Sequence, residues 1–160
     1  MSARISPNAA RFETRTYTKG DKIKLSANFD LFEFDCPCSY PECTTTIVDD
    51  ELVFKLQRLR DWVMRSVEIT SGFRCAAHHE DLKKGGANQK KNIQDSTVPT
   101  VATNSQHLVG KAADIWVHGY TGAELEVEAR EIGFMAVGVA KRWIHVDTRT
   151  DARRRWVYTG

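Results

Sequence analysis

His107 stands seven residues before Asp114 in SQHLVGKAADIWV, with Gly110 between them. The second half of that segment reads as a strand, and strand side chains alternate between faces, so Ala112, Asp114 and Trp116 share one side. A carboxylate set between Ala-Ala and Ile-Trp-Val in a buried strand costs roughly several kcal/mol unless it is paired or bound to metal. Gly110 permits the sharp turn that would bring His107 back beside Asp114. RWIHVDT repeats the pattern, with Trp143, His145 and Asp147 on one face and Ile144 and Val146 on the other. Two imidazoles and one carboxylate, with the fourth position left to water, form the ligand set of a catalytic zinc site. Zinc in such a site acidifies water and polarises a carbonyl. The plainer reading is three satisfied core or rim side chains, and spacing alone leaves both open.

The elements that would position these residues are legible in outline. Residues 1–28 are polar and aperiodic, an extended arm or an edge strand. FDLFEFDCPCSYPECTTT reads as a short docking segment and a loop. Asp49 or Asp50 can cap a helix in which Leu52, Val53, Leu56, Leu59, Trp62 and Val63 recur at helical spacing. VEITS is a strand, AAHHEDLKK a short helix or turn, and AADIWVH a strand. A helix over 121–131 starts at a Thr121 cap and stops before Gly133. FMAVGVA and RWIHVDT form a hairpin. The predicted fold class is α+β: a central antiparallel sheet with flanking helices, in one domain over residues 29–160.

Bulk properties narrow the function classes. A chain of 160 residues with 41% hydrophobic and 28% charged residues can bury a real core. The net charge of +2 gives no reason to expect a nucleic-acid partner. Apolar runs such as IWV and MAVGVA are too short for a bilayer, so no membrane partner is expected either. MSARISPNAARFETRTYTKGDKIKL lacks the apolar stretch of a secretory signal.

SQHLVGKAAD fits the pattern S-x-H-x-x-G-x-A-x-D and resembles the signature of the zinc D-alanyl-D-alanine carboxypeptidases and their relatives. That group includes murein peptidases, phage endolysins and the hedgehog signalling domain. ITSGFRC resembles the group's S-G-[YF]-R segment, HHEDLKKGGA the stretch leading to the Ser-x-His motif, and WIHVDTR with RRRW the closing ligand strand of its phage and bacterial members. The resemblance runs over roughly residues 29–157. It implies zinc bound by His107, Asp114 and His145, an arginine for the substrate carbonyl at Arg74, and Ser105 supporting the site by a hydrogen bond.

Many relatives place a proton-accepting acid three residues before the last ligand, where this chain has Arg142, which cannot accept a proton. Asp147 is the best local substitute; orienting His145, or pairing with Arg149, is the alternative. His78 and His79 read as exposed imidazoles rather than substrate-binding groups. The resemblance implies hydrolysis of an amide bond in peptidoglycan stem peptides or cross-links, in a phage or prophage setting. The protein would then be made in the cytoplasm and reach the cell wall after release or within a virion. A zinc-binding structural or virion protein that keeps the fold without hydrolysis is the alternative.

Two further features stand outside that scheme. Residues 88–104 separate segments that relatives join almost directly, so they read as an inserted loop, either a lid or a tolerated surface insertion. Cys36, Cys38, Cys43 and Cys75 read as loop thiols and a small buried side chain; a structural zinc site requires the fold to gather all four.

Overall fold

The computed structural model describes residues 12–84 and 105–159. In chain order its elements are β1 (Thr14–Thr18), β2 (Lys24–Ser26), β3 (Phe29–Asp30), a 3-10 turn (Leu31–Phe34), β4 (Thr45–Asp49), α1 (Asp50–Val63), β5 (Glu68–Ser71), α2 (Ala76–Lys84), a second 3-10 turn (Gln106–Val109), β6 (Ala112–Trp116), α3 (Gly122–Ile132), β7 (Ala136–Val139), β8 (Ile144–Asp147) and β9 (Arg154–Val157).

Helix α1 forms because Leu52, Val53, Leu56, Leu59 and Val63 line one side of it, and all five are buried. Each fully buried leucine contributes about 1.5–3 kcal/mol, several times any difference in helix propensity, so packing decides this element. Asp50 and Glu51 in the first turn suit the helix dipole. Asp49 occupies the cap position without capping, because its carboxylate accepts from the Thr148 hydroxyl at 2.8 Å. Trp62, expected on the apolar stripe, is 59% exposed and donates its indole N–H to Glu128 on α3. Thr121 and Glu124 close a reciprocal capping box at the start of α3, and Gly133 ends it in the left-handed region.

Helix α1 packs on α3 and on β2 and β4, and α3 packs on β7 and β8 of a five-stranded sheet of order β5-β6-β8-β7-β9. Its core-facing residues include Ala113 and Ile115 on β6, Ile144 and Val146 on β8, and Val137 and Val139 on β7. Strand alternation therefore turns Asp114, His145 and Gly138 to the opposite face. Mixed helices and sheets are consistent with the α+β expectation. The sheet is not purely antiparallel as expected, because β9 runs parallel to β7 along its edge.

Of the expected N-terminal arm, residues 14–26 contribute two short strands. β1 pairs with β4 and β2 with β3, each antiparallel. β4 is a strand where the sequence suggested loop, and β1 supplies its partner from far upstream. The first eleven residues of the arm and the 88–104 insertion lie outside the described residues. No helix among the described residues is long and apolar enough to cross a membrane.

Candidate metal centre

Strand register builds this site. Ser71 on β5 is paired with Asp114 on β6, Asp114 with His145 on β8, His145 with Gly138 on β7, and Gly138 with Trp156 on β9. One transverse row thus crosses all five strands. A Cβ on Gly138 would meet the indole Nε1 of Trp156 at 2.3 Å, so only glycine lets that indole reach across to His145, whose ring centre is 5.2 Å from it.

His107 arrives from outside the sheet on the second 3-10 turn. Ser105 caps that turn, its hydroxyl accepting the His107 backbone N–H at 3.2 Å. Gly110 ends it at φ 74°, and a Cβ there would meet the Ile47 carbonyl oxygen at 2.3 Å. Backbone blocks this position twice over, by conformation and by contact. Gly110→Ala is expected to cost at least ~1 kcal/mol, lowering Tm by roughly 2–4 °C for each kcal/mol, read by thermal unfolding. An unchanged Tm would mean that the turn does not need its left-handed residue.

His107 Nδ1 lies 2.6 Å from the Gly72 carbonyl oxygen, which can only accept, so Nδ1 carries the proton. Burial pushes the His107 pKa below its ordinary value despite the opposing pull of Asp114, so the ring is neutral and Nε2 holds a lone pair. That lone pair faces the Asp114 Oδ1 at 3.3 Å. Two acceptors meet with no hydrogen between them, an arrangement that a cation satisfies. His145 turns Nδ1 to the same Oδ1 at 3.0 Å and donates Nε2–H to Asp147 at 2.8 Å. Burial opposes charge on His145, yet the hydrogen bonds to two carboxylates outweigh it and raise its pKa to about 9. Burial works against charge on Asp114 as well, yet its contact with protonated His145 holds its carboxyl far below the ordinary range.

His107, Asp114 and His145 offer donor atoms that all lie within 4.8 Å of one another. Tetrahedral zinc with bonds of about 2.0–2.2 Å sets its ligand atoms about 3.3–3.6 Å apart. The contacts to Asp114 Oδ1, at 3.3 Å from His107 and 3.0 Å from His145, lie at and a little below that spacing. The residues fit a divalent ion.

Arg74 reaches the trio through Nη2, which donates to Asp114 Oδ2 at 3.2 Å, while Nε donates to the Ser71 hydroxyl at 3.1 Å. Its backbone N–H also donates to the His107 carbonyl. Asp147 has a different environment from the one a base requires. It is fully buried, lies against the Nε2 side of His145, and is gripped by Arg149 through Nε at 2.8 Å and Nη2 at 2.7 Å. These contacts suit an orienting role toward His145, with Arg149 as the anchor. His79, expected to be exposed, is buried on α2.

An open cleft of about 360 Å³ meets the trio at Asp114 and is otherwise lined by Thr70, Trp116, Arg142 and Trp143. Behind it Trp143 stacks on Tyr158, whose hydroxyl accepts the Trp156 indole N–H at 2.8 Å. Burial pushes the Tyr158 pKa up to about 12, so it remains neutral. Sequence reasoning did not single out Trp156 and Tyr158. Their spacing of two residues in RRRWVYT is the available signal, because it puts both on one strand face.

A family model described as Peptidase M15 matches residues 27–147. No curated protein and no solved structure matches the chain.

Proposed function

Because this chain belongs to the peptidase M15 family, a family of zinc-dependent metallopeptidases, we propose that it hydrolyses an amide bond in peptidoglycan stem peptides or cross-links. The observation that carries this reading is the convergence of His107, Asp114 and His145 beside an open cleft, with Arg74 on the same carboxylate. His107 Nε2, Asp114 Oδ1 and His145 Nδ1 would hold the ion. Bound there, zinc supplies Lewis acidity for activating water and polarising the scissile carbonyl. Arg74 offers a guanidinium for negative charge developing on that carbonyl oxygen.

The peptidoglycan assignment is supported by the cleft's chemistry and by the resemblance to phage and bacterial wall peptidases. Trp116 and Trp143 supply apolar walls, and Arg142 has no hydrogen-bond or ion-pair partner among the described residues. A guanidinium at the cleft suits stem peptides, which carry free carboxylates. A phage or prophage setting, with the protein reaching the wall after release or in a virion, follows from the same resemblance. Zinc-loaded protein incubated with purified peptidoglycan of several chemotypes is expected to release peptide fragments with new amino and carboxyl ends, identified by mass spectrometry.

One observation favours a second reading, a zinc-binding protein that has lost hydrolysis. Among the described residues the only carboxylates hydrogen-bonded to the two histidines are Asp114, assigned as a ligand, and Asp147, behind His145. If zinc-loaded protein leaves every chemotype intact while His107→Ala changes stability alone, this second reading replaces the first.

Asp147→Asn separates orientation from proton transfer. As an orienting residue, its loss weakens zinc binding about 10–100-fold, and excess zinc restores activity. As a base, its loss would cut kcat about 10²–10⁴-fold at full zinc occupancy. The first outcome is expected, read from zinc titrations run beside the peptidoglycan digest.

A further inference from the structure

We propose that Cys36, Cys38, Cys43 and Cys75 form a second zinc site, structural and made of four thiolates. The fold gathers all four sulfurs within 4.8 Å of one another, although the sequence scatters them over a loop and the start of α2. Cys75 Sγ lies 3.7 Å from Cys36 Sγ and 3.6 Å from Cys38 Sγ. Zinc–sulfur bonds of about 2.3 Å in a tetrahedron give sulfur–sulfur edges of about 3.8 Å. All four are free thiols, with no disulfide among them. The cluster has the size of a zinc tetrahedron.

The surroundings also suit thiolates. The backbone N–H of Cys75 points at Cys36 Sγ at 3.5 Å, and that of His78 points at Cys75 Sγ at 3.4 Å. Amide donors of this kind stabilise negative sulfur and orient it. Zinc with four thiolates leaves two net negative charges. Lys19 from beyond the end of β1 answers them, its ammonium 3.4 Å from Cys43 Sγ and 3.9 Å from Cys38 Sγ. Cys36 and Cys43 are buried, which shields the cluster from water.

Packing energetics point the same way. The hydrophobic cluster here consists of the cysteines with Phe73 and Ile47 and is separate from the main core. So few apolar side chains cannot by themselves fix the loop running from Cys36 to Cys43, and small units of this kind are completed by metal or disulfides. The loop it would fix matters to the other site. Cys75 follows Arg74 directly, Phe73 donates its N–H to the Phe34 carbonyl at 2.9 Å, and Gly72 supplies the carbonyl that orients His107. A metal at the cysteines would therefore hold the segment that carries Arg74.

The test uses the full chain, produced with zinc and kept reduced. Metal analysis is expected to find two zinc ions per chain in the parent and one in either His107→Ala or Cys43→Ser. Cobalt substituted for zinc should give an intense thiolate-to-cobalt charge-transfer band, retained in His107→Ala and absent in Cys43→Ser. Should Cys43→Ser fail to fold, titrating parent protein with an organomercurial decides the matter, since modifying four thiols should release one zinc. A single zinc that His107→Ala removes, with freely reactive thiols and no charge-transfer band, would overturn the proposal while leaving the hydrolytic site intact.

Discussion

Exchanging Asp114 for asparagine is expected to strip zinc from the trio and to cut hydrolysis by about a thousandfold or more, which corresponds to roughly 4 kcal/mol of lost transition-state stabilisation. One oxygen of this side chain faces both imidazoles and the other accepts from Arg74. Asparagine keeps the shape but removes the charge, and its amide hydrogens would confront either the guanidinium or a ring nitrogen. The substitution also unbalances the metal-free protein. Arg74 would retain only Ser71, and protonated His145 only Asp147, so charge within the site loses a counter-ion. Breaking such a pair costs about 3–5 kcal/mol when fully buried, so Asp114→Asn should lower the metal-free Tm as well. His107→Ala separates the two effects. It removes a ligand without removing the carboxylate, leaving the Gly72 carbonyl unpaired at about 1–3 kcal/mol. Both variants should lose the zinc, and both should be inert on peptidoglycan. If Asp114→Asn keeps that zinc through dialysis against a chelator and digests walls within tenfold of the parent, the trio is not the catalytic centre.

The metal site is legible in the sequence in two steps: its residues contradict their local surroundings, and the resemblance carried by SQHLVGKAAD decides what spacing leaves open. Asp114 and His145 interrupt apolar strands, and the strand period of two assigns each to a definite face. The strand pairing then sets them directly opposite each other. What the local pattern cannot supply is depth behind the ligands. Asp147 shares a face with His145, as expected, but a strand face does not reveal which ring nitrogen it meets. The bidentate grip of Arg149 decides that, and it depends on a turn after β8 that has no periodicity.

The fold shows the same division. The longer periodic segments, α1, α3, β6 and β8, can be read because each buries a stripe of its own residues. β4 and β9 are hidden, and β1 is legible only as one of two readings of the arm, for a common reason. β1 is mostly exposed and β9 half exposed, and β4 is ordered by a partner some thirty residues upstream. Their pairing is long-range, and nothing within a local window reports it. The cysteines are the extreme case. Cys36 and Cys75 are 39 residues apart in sequence and in contact in space.

Arg74→Ala is expected to lower kcat and kcat/KM together by about 10²–10³-fold, the effect of removing one preorganised donor from a developing oxyanion. Zinc content should be unchanged, because all three proposed ligand atoms remain. This distinguishes charge stabilisation from a merely structural ion pair. Arg74 is held in place by Asp114 on one side and the Ser71 hydroxyl on the other, and those bonds use Nη2 and Nε. The remainder of its guanidinium is the part available to a substrate oxygen. With a divalent ion bound, Asp114 no longer depends on Arg74 for its counter-charge, so the substitution should cost the zinc-loaded protein little stability. Arg74→Lys sharpens the test. Lysine keeps the charge but loses the planar fork that lets one side chain bond Asp114, Ser71 and substrate at once. Partial recovery of kcat, without any change in zinc content, is the expected result. If Arg74→Ala instead loses zinc and regains full activity when zinc is added back, Arg74 serves to position Asp114 and the oxyanion is stabilised by other groups.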